Sequence, residues 1–137
     1  MLKLNRRTEY ALLALRFLSA PDRKVASVRA VAQHYAIPEP LLAKVLQRLK
    51  RGGLASSTKG ASGGYALTRQ LDNVSLIEVL ELFDESTHLV SCIEQEGGCE
   101  CHLHPICEIR NGMLSLNELM TVQLRHLSVE TFFAGRL

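Results

Sequence analysis

IPEPLLAKVLQRLKRGGLASSTKGASGGYALTR, residues 37–69, is the stretch whose reading decides the fold. Proline is tolerated in a first helical turn, so Pro38-Glu39-Pro40 can open a helix that runs to about Arg51. Leu41, Leu42, Val45, Leu46 and Leu49 recur at helical spacing and make its expected buried stripe. Lys44, Arg48, Lys50 and Arg51 give the helix a positive charge, and Gly52-Gly53 ends it. Leu54 to Thr58 is strand-compatible, Lys59 to Gly64 is a glycine-rich turn, and Tyr65 to Thr68 alternates and returns. A β-hairpin is therefore expected directly after a basic helix. A glycine-rich loop that cradles phosphate needs a strand before it and a helix after it, and no helical pattern follows Gly64.

Upstream, Arg6 to Ala20 reads as a first helix, with Tyr10, Leu13, Phe17 and Leu18 inward and Pro21-Asp22 as its stop. Ser27 is a good N-cap for a second helix from Val28 to Tyr35, with Val28, Val31, Ala32 and Tyr35 inward. Two short helices joined by a tight turn, the second basic, form a helix-turn-helix. A generic helical hairpin would look the same up to Gly53. The hairpin that follows occupies the place of a wing.

Downstream, Ser75 with Glu78 three residues later predicts a capping box and a fourth, largely buried helix through Phe83. A cysteine-bearing loop follows, roughly His88 to Pro105. A long final helix is expected from about Ile106 to Leu127, its stripe Met113, Leu116, Met120, Leu124 and Leu127. The cheapest partner for such a helix is a second copy of itself, although packing on the first helix is open as well. Phe132-Phe133 is expected to pack on the partner. The fold class is thus mainly α with a small β-hairpin: a winged helix-turn-helix with a long C-terminal dimerisation helix. The expected boundaries are residues 1–70 for the DNA-binding region, 71–108 for the fourth helix and cysteine loop, and 109–137 for the dimerisation helix and tail, in one compact domain.

Charge supports this division. The chain has 137 residues and a formal net charge of +2. Residues 1–70 hold thirteen Lys and Arg against three acids, whereas residues 71–137 hold three Arg against eleven acids. A basic half suits a polyanion. No apolar run approaches the roughly 20 residues of a membrane span, and the N-terminal residues lack a secretory pattern, so a cytoplasmic protein with no membrane partner is expected. No nucleophile–base pair, P-loop or dinucleotide fingerprint is present, which argues against an enzyme.

All four cysteines, Cys92, Cys99, Cys101 and Cys107, fall within sixteen residues. In a chain without a signal peptide this points to a metal, a cluster or a redox switch. The spacing C-x6-C-x-C-x5-C contains no C-x2-C or C-x4-C zinc knuckle. Iron–sulfur clusters accept more variable loops, and Gly97-Gly98 would let this one wrap something larger than an ion. His102 and His104 lie within the stretch and suit either. Inert buried thiols are a poor reading, because Glu94, Glu96 and Glu100 make the segment polar.

At this point the residues resemble a known family. LNRRTEYALLAL (residues 4–15), residues 37–54, the wing from Lys59 to Arg69, VSLIEV (74–79), and Leu89 to Cys92 with Cys101-HLHPI-Cys107 look like the Rrf-two family of iron–sulfur winged-helix transcription regulators. The similarity is closest to its nitric-oxide-sensing repressors. It covers essentially the whole chain. It implies a homodimer on a pseudo-palindromic double-stranded DNA operator and a cluster held by three cysteines per subunit. Cys92 and Cys107 match the first and third ligands, and Cys101 is the better match to the second. Cys99 is then a fourth ligand, a resolving thiol or a substitute. Some members use a histidine three residues after the last cysteine, where this chain has Arg110. In the nitric-oxide sensors an acid of the first helix completes the site from the partner subunit. Glu9 stands at that position, and it reads equally as a surface acid beside Arg6. A [4Fe–4S] cluster is favoured, with [2Fe–2S] open. The alternatives are a cluster-free thiol switch and a zinc-stabilised regulator.

The expected DNA contacts are Lys44, Arg48 and the wing Lys59. The family reads bases from the start of the third helix, here Pro40, Ala43 and Lys44. Neither Pro40 nor Ala43 has a polar side chain, so readout must differ from that of members with Ser or Glu there. In the wing, Gly60 and Ser62, with Gly63 and Gly64, would bring the backbone to the minor groove.

Overall fold

Asn5 and Ser27 fix where the first two helices start. In a computed structural model, which describes residues 3–94 and 99–137, the Asn5 side-chain oxygen accepts the Thr8 N–H at 3.0 Å and opens α1 (Arg6–Leu18). Ser27 accepts the Ala30 N–H at 3.1 Å and opens α2 (Val28–Tyr35), as its sequence predicts. Ala36 turns the chain in a left-handed conformation, φ 53°, into α3 (Glu39–Arg51). This helix has no side-chain cap. Pro40 in its first turn removes one donor that would need one.

The wing is β1 (Ala55–Thr58) paired antiparallel with β2 (Gly64–Leu67), in register from Ala55 opposite Leu67 to Thr58 opposite Gly64. A bridge adds the α1–α2 loop to it. The Ala26 N–H donates to the Tyr65 carbonyl at 2.9 Å, and the Tyr65 N–H donates back at 2.7 Å. Gly64 has φ +154°, and a side chain there would run into the Ala26 backbone. The sequence gives this glycine to the turn. In the structure it is what lets the wing dock.

α4 (Leu76–Leu82) starts on the full Ser75/Glu78 capping box. Then come a short helix α5 (Ser91–Glu94), a 3-10 turn (His104–Ile106), α6 (Arg110–His126) and α7 (Val129–Ala134). The last helix is a return element capped by Ser128. The Leu76 N–H donates to the Leu127 carbonyl at 2.7 Å and the Val129 N–H to the Val74 carbonyl at 2.8 Å, which pins the C-terminal end beside the start of α4. Phe132 and Phe133 pack partly on the core of their own chain, and the Arg16 guanidinium stands 5.7 Å from the Phe133 ring centre. Both rings remain partly exposed.

The core lies among α1, α2, α3, the base of the wing and α4. Two apolar residues expected inside are outside. Leu13 is 37% exposed, because it faces away from Ala11, Leu15 and Leu18, and Leu41 is 48% exposed at the edge of the Leu42–Val45–Leu46–Leu49 stripe. The stripe expected on α6 also divides. Met113, Met120, Leu124 and Leu127 are half-buried, but Leu116 is 46% exposed, and Ile109 and Leu119 are more so. Among the described residues, no helix is long and apolar enough to cross a membrane.

Candidate nucleic-acid interface and thiol loop

The basic face is carried by α3 and the wing. α2 and α3 pack together, with Leu42, Val45, Leu46 and Leu49 buried, so the opposite side of α3 is presented outward. Pro40 and Lys44 are exposed there and Ala43 is half-buried. In the wing, Lys59, Gly60 and Ser62 are exposed, and Gly60 has φ +107°. Arg29 of α2, Lys50 and Arg51 are exposed as well. Phosphate contacts position such a head on a duplex, and base contacts specify the site.

Arg48, expected among the DNA contacts, turns its guanidinium to the end of α4. Its Nε donates to the Leu82 carbonyl at 2.6 Å, and its Nη2 donates to Asp84 Oδ2 at 2.6 Å. Its guanidinium also lies 5.6 Å from the Phe83 ring centre. The acceptors at the end of α4 outcompete solvent for this guanidinium, and no local sequence signal could reveal them, since they lie 34 and 36 residues away.

The second site is the cysteine segment. Cys92 is carried on α5 and is half-buried, as are Cys99 and Cys107, while Cys101 is exposed. All four are free thiols. Cys92 has the Cys99 and Cys101 thiols as neighbours. Desolvation, and after it the neighbouring Cys99, push the Cys92 thiol above its ordinary range. The Cys101 N–H donates to Cys99 Sγ at 3.3 Å, and the His104 N–H to the Cys101 carbonyl at 3.0 Å. Cys99 Sγ thus lies beside the Cys101 backbone, and Cys107 follows the 3-10 turn toward α6. His102 and His104 are exposed. Glu96, Gly97 and Gly98, which the sequence reading uses, lie outside the described residues. Among the described residues, no three His, Cys, Asp or Glu side chains gather around one point as a single metal ion requires. Thiolates are ligands of both zinc and iron–sulfur groups, so the donor chemistry of the segment fits either.

Glu9 sits in the first turn of α1 and pairs with Arg6 at 2.7 Å across a largely exposed surface. Within one chain this is the surface-acid reading. Two polar residues next to the cysteine segment escaped the sequence reading. Asn117 is the one buried residue of α6, and its Oδ1 accepts the Leu89 N–H at 2.9 Å. Glu85 Oε1 accepts both the Asn5 N–H and the Thr8 hydroxyl at 2.6 Å. An asparagine inside an apolar helix stripe is the only sequence signal for the first. The second has none.

A winged helix-turn-helix with a thiol-rich segment between its fourth helix and a long C-terminal helix defines a class of bacterial regulators. The model of the family described as Rrf2, iron-dependent transcriptional regulators, matches residues 4–135, and this chain belongs to that family. It is 31% identical over 125 residues to the HTH-type transcriptional regulator NsrR of Shouchella clausii, covering 90% of this chain and 81% of that one. Among solved structures it resembles CymR, the global cysteine regulator of B. subtilis, with a TM-score of 0.73 and 18% identity over all of both chains. It also resembles the T. potens IscR, with a TM-score of 0.70 and 16% identity over 99% of this chain and 89% of that one. These structural likenesses confirm the winged-helix fold. A regulatory rather than enzymatic role follows from the family.

Proposed function

We propose that this regulator is a homodimeric repressor whose affinity for a pseudo-palindromic operator is set by an iron–sulfur cluster on the Cys92–Cys107 segment. The observation that carries the reading is the placing of four free thiols, Cys92, Cys99, Cys101 and Cys107, on the chain between α4 and α6. Cys92, Cys101 and Cys107 are the three ligands proposed, as the family resemblance implies. Cys99 or Glu9 of the other subunit supplies the fourth. Four thiols suit a [4Fe–4S] cluster, with [2Fe–2S] open. Such a group, when bound, supplies a site sensitive to iron supply, oxidants and nitric oxide. The protein's own part is to hold the thiols together, to keep Lys44 and Lys59 facing DNA, and to join two heads through α6. The exposed Ile109, Leu116 and Leu119 support that last role.

A second reading uses the same thiols without a cluster. The closeness of Cys92 and Cys99 favours a thiol–disulfide switch. Anaerobic purification with an absorption spectrum and iron and sulfide analysis separates the two. Broad visible absorption with stoichiometric iron and sulfide is expected, abolished in Cys92→Ala, Cys101→Ala and Cys107→Ala. The Cys99→Ala variant decides whether that thiol is a ligand. Colourless protein after reconstitution would overturn the cluster and leave the switch, which thiol titration then measures.

A further inference from the structure

The turn that closes α4 is held from two sides. On one side is the recognition helix. Arg48 reaches the Leu82 carbonyl and the Asp84 carboxylate, both at 2.6 Å, and stands over Phe83. A cation at a helix C-terminus is favoured by the carbonyls left open there. One turn further along α3, a side chain on Gly52 would come within 2.6 Å of Leu82, so the two elements are in close approach at a second point. On the other side is the start of α1. Asn5 Nδ2 donates to the Phe83 carbonyl at 3.3 Å, and Glu85 accepts from the Asn5 N–H and the Thr8 hydroxyl. Asp84 itself adopts φ 57°, a left-handed conformation that redirects the chain. Four residues after Glu85, the Leu89 N–H is anchored on Asn117 of α6, and Cys92 follows three residues later.

We propose that Arg48 is a positioning residue rather than a DNA contact, and that the turn Leu82–Glu85 is the relay by which the cysteine segment sets the placement of α3. The proposal rests on the reading of that segment as the sensing site. The short connection leaves little slack, so a rearrangement near Cys92 pulls on the turn, and close-packed elements pass the displacement to α3. The alternative role for an arginine on this helix is a phosphate contact, in which Asp84 competes with DNA for the guanidinium.

Two variants tell these roles apart. Arg48→Met keeps the aliphatic stem over Phe83 and removes the donors. Asp84→Asn keeps a residue tolerant of the left-handed backbone and removes the charge. Affinity is measured by anisotropy on a duplex that the wild-type protein selects from a randomised pool, before and after anaerobic reconstitution with ferrous iron and sulfide. Thermal midpoints and iron content are measured alongside. A wild-type ratio between the two states of about 5- to 150-fold is the usual size of such coupling. Both variants are expected to bind iron and sulfide as wild type does, and to bring that ratio toward one. Equal loss of affinity in both states for Arg48→Met, with a gain for Asp84→Asn, would show that Arg48 is a phosphate contact and overturn the relay. An unchanged ratio in both variants would overturn it too. A wild-type ratio of one would sink the sensing reading, and the relay with it.

Discussion

The two ends of the cysteine segment face very different surroundings. Before it, twenty-three of the twenty-four buried apolar residues described lie at or ahead of Phe83. Beyond Phe83 the described chain buries one more, Val129, and one polar residue, Asn117. The DNA-binding head therefore carries its own hydrophobic driving force, and α6 leans on it through one half-buried side. The electric asymmetry follows the same line, basic before residue 70 and acidic after it. The lesson is physical. A head that must hold α3 and the wing in fixed register is built as a rigid core. The segment proposed to respond to a signal has little burial to resist rearrangement.

The sharpest way to break this contrast is to make the same truncation on both sides of it. Leu46 of α3 is fully buried. Leu46→Ala is expected to cost about 2–5 kcal/mol of folding stability in urea denaturation, from lost burial and the cavity left behind. Leu119 of α6 is 57% exposed. Leu119→Ala is expected to move folding stability by no more than about 0.5 kcal/mol. Its effect belongs in the monomer–dimer equilibrium, read by sedimentation. Equal folding losses at the two positions would show that α6 is part of the same core.

Gly64 tests the head alone. Gly64→Ala places a side chain against the Ala26 backbone at φ +154°. A loss of roughly 1–3 kcal/mol in thermal or urea unfolding is expected, with the wing detached from the α1–α2 loop. A neutral result would mean that the bridge between Ala26 and Tyr65 is dispensable.

Charge on the head is checked on non-specific duplex DNA, where sequence readout plays no part. Lys44→Ala and Lys59→Ala are each expected to weaken binding and to lower the slope of log affinity against log salt by about 1. Arg48→Met is expected to leave that slope unchanged, since its guanidinium is engaged with α4. A slope change at Arg48 equal to that at Lys44 would return it to the DNA face.

What could be read in advance follows from the range of each signal. Ser27 and the Ser75/Glu78 pair announce helix starts because a cap acts over three residues, and both appear where expected. The hairpin is equally local. Leu41 misleads because periodicity defines a stripe's centre better than its edge. The contacts of Arg48, Asn117 and Glu85 are not legible in the sequence because their partners lie from 28 to 80 residues away. The tail shows the same limit. Phe132-Phe133 reads as a contact for a partner, and the backbone bridge between Ser75 and Ser128, which folds it onto its own chain, has no local signal. The thiol segment was legible as chemistry, from four cysteines in a short span, but not as geometry.

The smallest expected effect concerns the capping box that opens α4. Burial alone would raise the Glu78 carboxyl, but Arg69 at 2.7 Å, the Ser75 N–H and the Ser75 hydroxyl outweigh it and hold the group below its ordinary value of 4.5. A carboxyl depressed on folding stabilises the native state above its unfolded pKa. That contribution is lost as pH falls through the lower, folded value. Glu78→Gln keeps a side chain that can accept from the Ser75 N–H and removes the charge. About 0.5 kcal/mol is expected to be lost near neutral pH, kept small because both partners are about two-fifths exposed and solvent screens the pair. The gap between wild type and variant should close as the pH drops below about 4. Urea denaturation of both proteins across that range checks the sign. A gap that persists in acid would assign the whole effect to the neutral hydrogen bond of the cap and none to Arg69.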